Sequence, residues 1–317
     1  MLTLGGAALL LAQPAIARTA TEVSRLSGQA LGTGWRITMP AGIETPGLAQ
    51  RLGQLFDGID RAFSPWRADS ALSHFNESNA GDFAASPEVV EVAASALAIA
   101  EASGGLFDPT VGPLVARWGF GPIRVGESQP GGWRRLSAAG ARLSKQENGM
   151  TLDLCGIAKG HALDRMVSLM MSSGHDSFLI DIGGELAARG RHPSGRVWQV
   201  GIEDPRMEVD DLAGVLLLDG MAVATSGDRA NGYDLGGRRY SHIIDPATSE
   251  PVAGALASVS VLMPVAREAD GWATALMAAG EDGPVLAESL GISALFLFRD
   301  GEGLRRVATG AFHRHLV

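Results

Sequence analysis

Forty-two glycines scattered at irregular intervals through 317 residues constrain this chain more than any other feature of its sequence. A strict triplet of glycines would specify a fibre, whereas irregular glycines specify turns and close backbone approaches within a globular fold. Hydrophobic residues make up 46% of the chain and charged residues 19%, which excludes general disorder. A chain of this length buries a substantial core, as one large domain or two small ones. The formal net charge of -9 argues against a nucleic-acid groove. Any anionic ligand must therefore be met by local cations, helix N-termini or a bound metal.

The N-terminus reads as an export leader. Residues Leu2 to Ala12 are apolar and small, and Ala15-Ile16-Ala17 matches the small-x-small pattern that precedes a signal-peptidase cut. Cleavage is expected after Ala17. No basic residue precedes the apolar run, so the leader reads as truncated; a buried N-terminal helix is the competing reading. The expectation is a leader remnant over 1–17, a single domain over 18–317, and a soluble periplasmic protein. Cys155 is the sole cysteine, so no intramolecular disulfide can form.

Along the remaining chain, helical and strand patterns alternate. Leu48, Leu52, Leu55, Phe56, Ile59 and Phe63 fall on one stripe and predict a helix over Leu48 to Ala62. Pro87 opens a second predicted helix, Glu88 to Ala102, which Gly104-Gly105 stops. Further helices are predicted over Ala158 to Ser172 and Asp270 to Ala279. Strands are predicted at Leu179 to Ile182, Trp198 to Ile202, Val215 to Leu218, Ser258 to Leu262 and Ala294 to Phe298. No Pro/Ser-rich linker divides them and no repeat is visible, so the pattern predicts an α+β fold with sheets flanked by helices.

Three segments carry the chemistry. Asp153-Leu154-Cys155-Gly156-Ile157-Ala158-Lys159-Gly160 places a glycine-bearing turn and a lysine at a predicted helix N-terminus, where free amides can meet an anion. A plain connection is the alternative, because the glycine spacing matches no phosphate-loop or dinucleotide pattern. Next comes the Ala224-Thr225-Ser226-Gly227-Asp228 turn, followed by Ser241-His242-Ile243-Ile244-Asp245-Pro246. His242 can accept a hydroxyl proton near neutral pH, or can simply hold a strand-edge turn. In Glu268 to Leu276, Asp270 and Thr274 stand four residues apart and share one helix face. Their oxygens suit magnesium, although Asp270 at a helix start can equally serve as a cap.

Other segments add to these. They are Leu31-Gly32-Thr33-Gly34-Trp35, Phe63 to Arg67 with Ser70, Leu72 and Asn76, Gly105 to Leu114, Trp118 to Gly121, Asp181 to Glu185, and Gly201 to Pro205. In this order, the whole set resembles the ApbE family of FAD:protein FMN transferases over nearly the entire chain after residue 17. Leu31 stands where the family usually has methionine, Cys155 where small residues are common, and His161 where tyrosine is frequent.

The resemblance implies a T-fold-like α+β architecture with mixed or antiparallel sheets, and FAD bound in a cleft as substrate. It implies magnesium or another divalent cation at the FAD pyrophosphate, on Asp270, Thr274 and a backbone oxygen near Gly156 or Ala158. Flavin-nucleotide contacts are implied at Leu31, Trp66, Leu106, Phe107, Asp108, Asp153, Lys159 and Ile244, with His242 as base and Asp270 as the catalytic metal ligand. The implied partner is a protein bearing an Asp-containing stretch that ends in Ser/Thr-Gly-Ala-Thr, typically a subunit of a membrane redox complex. No nucleic acid is implied. Two other activities fit the same motifs: FAD hydrolysis to FMN and AMP, and non-enzymatic flavin carriage.

Overall fold

The computed structural model describes residues 23–43, 45–206, 211–229, 231–236 and 238–317. The expected leader, 1–17, lies outside them. Eight strands form the central sheet: β1 (Val23–Ala30), β2 (Thr33–Pro40), β3 (Phe178–Ile182), β4 (Glu185–Arg189), β5 (Ala222–Gly227), β6 (Leu256–Met263), β7 (Ser293–Asp300) and β8 (Gly303–Ala308). Each strand pairs with the next along the chain, and every pair is antiparallel. The alternative of a mixed sheet is thus not realised among the described residues.

Because sheet order follows chain order, the helices and hairpins are excursions between neighbouring strands. The β2–β3 excursion carries α1 (Leu48–Phe63), α2 (Ala71–Glu77), α3 (Pro87–Ala102), α4 (Gly112–Arg117) and α5 (Cys155–Ser172). The β4–β5 excursion is a hairpin of Trp198–Glu203 and Leu212–Leu218, and the β5–β6 excursion contains a second, Gly232–Leu235 with Arg238–Ser241. Helices α6 (Ala266–Ala278) and α7 (Gly283–Ser289) lie between β6 and β7.

The apolar stripe expected for α1 is buried at Leu48, Leu52, Phe56, Ile59 and Phe63. It packs in one core with Ile37, Met39, Ile180 and Ile182 of the sheet and Ile157, Leu163 and Met166 of α5. Each such side chain contributes about 1.5–3 kcal/mol when taken from water. Helix α3 starts as predicted: Ser86 accepts the Val89 N–H, and Pro87 sits in the first turn. All five predicted strands lie within observed strands.

Two helix starts differ from expectation, and both for the same reason. Helix α5 begins at Cys155, because the Asp153 side chain accepts the Cys155 N–H at 2.9 Å. Cys155, Gly156 and Ile157 are therefore in the helix, not in a turn before it, and Ala158 and Lys159 lie in it as expected. Helix α6 begins at Ala266, four residues before Asp270. Its cap is the Asp164 carboxylate of α5, which accepts the Ala266 and Arg267 N–H groups at 2.8 and 2.9 Å. Asp270 is consequently not a cap. Thr225-Ser226-Gly227, expected as a turn, is the end of strand β5.

Candidate active site

Helices α5 and α6 run antiparallel and meet at three levels one helical turn apart. Asp164 caps Ala266 and Arg267, the Gly160 N–H donates to Asp270 Oδ2 at 2.8 Å, and the Thr274 hydroxyl faces the Gly156 carbonyl oxygen at 3.4 Å. Four-residue spacing on each helix keeps all three contacts on one face. The approach depends on missing side chains. A Cβ at Gly160 would sit 2.4 Å from the Ala266 carbonyl oxygen and 2.7 Å from Asp270 Cβ, and one at Gly156 would sit 3.0 Å from Thr274 Oγ1.

These contacts open onto a cleft of about 1770 Å³. Every residue given a site role from the sequence lines it: Leu31, Trp66, Leu106, Phe107, Asp108, Asp153, Gly156, Ala158, Lys159, His242, Ile244, Asp270 and Thr274. Leu31 is at the β1–β2 turn with φ 52°, in the left-handed region. Trp66 projects, 67% exposed, while Phe107, Asp108 and Ile244 are buried in the wall. Asp108 Oδ1 accepts the Thr110 N–H and hydroxyl at 2.8 and 2.6 Å, and Oδ2 has no partner among the described residues. Burial pushes the carboxyls of Asp108 and Asp153 above the usual carboxylate range. Cys155 is half-buried, and burial followed by the neighbouring Asp153 raises its thiol far above the ordinary value. It is no thiolate nucleophile.

The charged centre of the cleft is Lys159, which is ion-paired with Glu185. Burial works against the ammonium, but the Glu185 and Asp270 carboxylates outweigh it and hold Lys159 above the ordinary lysine range. Burial also raises Glu185, and the attraction of Lys159 does not fully offset it. Glu185 Oε2 is buried and has no hydrogen-bond partner among the described residues. Asp270, 4% exposed, is likewise raised by burial and eased by Lys159 and the Gly160 N–H.

Among the described residues no group of three or more His, Cys, Asp or Glu is placed to hold a metal. What the α5–α6 contact assembles is a set of hard oxygens: one carboxylate on Asp270, one hydroxyl on Thr274 and the Gly156 carbonyl. The Thr274 hydroxyl lies 3.4 Å from the Gly156 carbonyl oxygen, and Ala158 lines the same cleft. This donor set fits magnesium, which takes one or two carboxylates from a protein and completes its shell with water and phosphate oxygens.

His242 lies between the second hairpin and a short Ile244–Asp245 strand. Its Nδ1 lies 3.0 Å from the Asn231 carbonyl oxygen, which can only accept, so the proton is on Nδ1 and Nε2 is an acceptor. Burial lowers its pKa below the ordinary histidine value and favours this neutral form. The Phe120 ring meets it edge-on with centroids 6.3 Å apart.

Glu185 belongs to a segment marked in the sequence, but its pairing with Lys159 was not foreseen. The Gly183-Gly184 turn, with φ 63° and 100°, was a local signal that the chain reverses just before it. Nothing local marks its pairing with Lys159, which lies 26 residues earlier. The Thr225 and Ser260 hydroxyls, 2.8 Å apart and both lining the cleft, belong to different strands; the Thr225 segment was marked in the sequence, but its pairing with Ser260 was not.

The ApbE family model matches residues 31–296. The FAD:protein FMN transferase of Klebsiella pneumoniae is 32% identical, over 95% of this chain and 91% of the relative. That of Vibrio cholerae is 33% identical over 92% of each. Among solved structures, the apo form of the flavinyl transferase ApbE from Pseudomonas stutzeri superposes with a TM-score of 0.82 at 34% identity, covering 92% of this chain and 96% of that one. The flavin transferase ApbE from Vibrio cholerae gives 0.81 at 32%, covering 93% and 100%. By sequence and by antiparallel α+β fold alike, the chain belongs to the ApbE family.

Proposed function

We propose that the protein transfers the FMN half of FAD to the hydroxyl of a threonine, or a serine, in another protein and releases AMP, with magnesium or another divalent cation as the required ion. The observation that carries this reading is the convergence, in one cleft, of a hard-oxygen set at Asp270, Thr274 and Gly156 with a histidine whose Nε2 has no hydrogen-bond partner among the described residues. The names of the relatives, FAD:protein FMN transferase, support it.

In the reaction, the acceptor oxygen forms a bond to the phosphorus on the riboflavin side of FAD. The bond from that phosphorus to the bridging oxygen breaks, and its electron pair leaves with AMP. His242 Nε2 takes the hydroxyl proton, a contribution of roughly 10²–10⁴ in rate for a positioned base. When bound, the cation supplies charge stabilisation at the pyrophosphate. Lys159, kept charged by Glu185, faces the same cleft and suits a phosphate oxygen. Leu31, Trp66, Leu106 and Ile244 offer apolar surface for the flavin and adenine rings. The volume of about 1770 Å³ exceeds the roughly 300–1,000 Å³ of ordinary small-molecule pockets and leaves space for an acceptor segment beside FAD.

We further propose that the acceptor is a membrane redox subunit carrying the Asp-containing Ser/Thr-Gly-Ala-Thr segment, and that the protein works in the periplasm. The apolar leader supports export; cell fractionation that recovers only uncut cytoplasmic protein would refute it.

The deciding experiment incubates the protein with FAD, magnesium and an acceptor domain bearing that segment, and records the intact mass of the domain. Gain of one FMN unit with an equal amount of AMP is expected. FMN and AMP with an unmodified acceptor would instead establish the hydrolase, and intact FAD the carrier.

A further inference from the structure

A second, smaller groove opens from the cleft. It has a volume of about 290 Å³ and is lined by Trp66, Gly119, Phe120, Gly121, Pro122 and Arg124. Trp66, Phe120, Gly121 and Pro122 also line the cleft, so the two spaces share a wall. Phe120, whose ring edge meets that of His242, places the junction beside the histidine.

The chemistry of this groove suits a polypeptide. Residues 121–124 are irregular backbone, and among the described residues the Gly121 and Arg124 N–H groups donate to no protein acceptor. Unpaired amides of this kind take the carbonyls of an extended segment laid beside them. Arg124 is exposed and, among the described residues, has neither an ion pair nor a hydrogen bond. It is the sole charged group lining the groove, a local positive spot on a chain of net charge -9. Trp66 supplies an exposed apolar wall. A space below the roughly 300 Å³ lower bound for ligand pockets is too small for a second dinucleotide but admits a short stretch of chain.

We infer that this groove seats the extended acceptor segment, its backbone against Gly121 and Arg124 and an acidic side chain on the Arg124 guanidinium. The inference rests on the transferase reading of the adjoining cleft. The segment then passes Phe120 and presents its hydroxyl to His242, while FAD occupies the larger space.

The test uses the full chain loaded with FAD and without magnesium, and measures binding of a fluorescently labelled acceptor domain by anisotropy. Arg124→Glu is expected to weaken binding about tenfold, as for an interfacial charge turned against its partner, and Arg124→Gln less. FAD affinity should be unchanged in both. An acceptor domain with lysine in place of the acidic residue nearest its threonine should bind the Arg124→Glu protein better than the wild type. Equal acceptor binding by the wild type and both variants overturns the inference, as does a wild type that binds no acceptor. Binding that depends on Arg124, with no FMN transferred once magnesium is added, would uphold the groove and refute the transferase reading separately.

Discussion

The Gly160 N–H donates to Asp270 Oδ2 at 2.8 Å, so the carboxylate proposed as the cation ligand is held by the backbone of the neighbouring helix. That contact exists only because residue 160 has no side chain. Gly160→Ala would place a Cβ 2.4 Å from the Ala266 carbonyl oxygen and force α5 and α6 apart. The expected cost is about 1–3 kcal/mol, as for an overpacked core. Urea unfolding measures it, and calorimetric titration with magnesium should register weaker binding in the same variant. Wild-type stability and affinity would mean that the two helices are not in backbone contact.

Asp270→Asn separates cation binding from folding. Burial raises the Asp270 carboxyl, so its ionised form is less favoured in the folded chain than in the unfolded one. Its charge therefore detracts from stability as pH rises above the unfolded value of roughly 3.9. At neutral pH without metal, the variant should unfold no earlier than the wild type, because asparagine can still accept the Gly160 N–H. Magnesium is expected to raise the Tm of the wild type, and in the variant that rise should vanish. An undiminished rise would place the cation elsewhere.

Glu185→Gln is expected to lower stability by about 1–3 kcal/mol, less than the roughly 3–5 kcal/mol of a fully buried broken pair, because the Lys159 side chain is 37% exposed. The freed ammonium then has only Asp270 for company, and magnesium affinity should fall. Adding Lys159→Met should restore most of the stability and leave FAD affinity impaired. A double variant no more stable than the single one would show that the ion pair contributes nothing to the fold.

His242→Asn should slow transfer by roughly 10² or more while FAD affinity changes little, since the ring is assigned to the proton and not to the nucleotide. Burial depresses the His242 pKa, so the acid limb of the wild-type rate profile should lie below the ordinary histidine value of roughly 6.5. Protonation favours the unfolded chain for the same reason, and the contribution of this residue to stability falls as pH drops through that range. Single-turnover flavinylation across pH checks both points. An unaltered limb in the Asn variant would assign the proton to another group.

Helices α1 and α3 were legible because their signals are local. Ser86-Pro87 and the α1 stripe specify their helices from within a few residues. The start of α6 was misplaced because its cap, Asp164, is about a hundred residues away in sequence. Strands β1, β2, β4, β5 and β8 were not expected from the sequence, and for β2 and β5 the cleft explains why. Strand β2 carries Arg36 and Thr38, and β5 carries Thr225 and Ser226, in the lining of the cleft, which breaks up the apolar runs that mark a buried strand. The positions of the site residues were legible through the glycine-bearing segments, but Glu185 and Phe120 act through partners that only the folded chain brings near.

The three-level seam between α5 and α6 also limits how this part of the chain can change in length. Adding or deleting one residue between Gly156 and Asp164, or between Ala266 and Thr274, would turn everything beyond it by about 100° around the helix axis. At least one of the three matched levels would then face away from its counterpart, and no adjustment of side chains could bring it back. Loops elsewhere can lengthen without touching the seam. These two short stretches admit substitution but not insertion, which makes them a fixed-length gauge against which the rest of the molecule is free to grow.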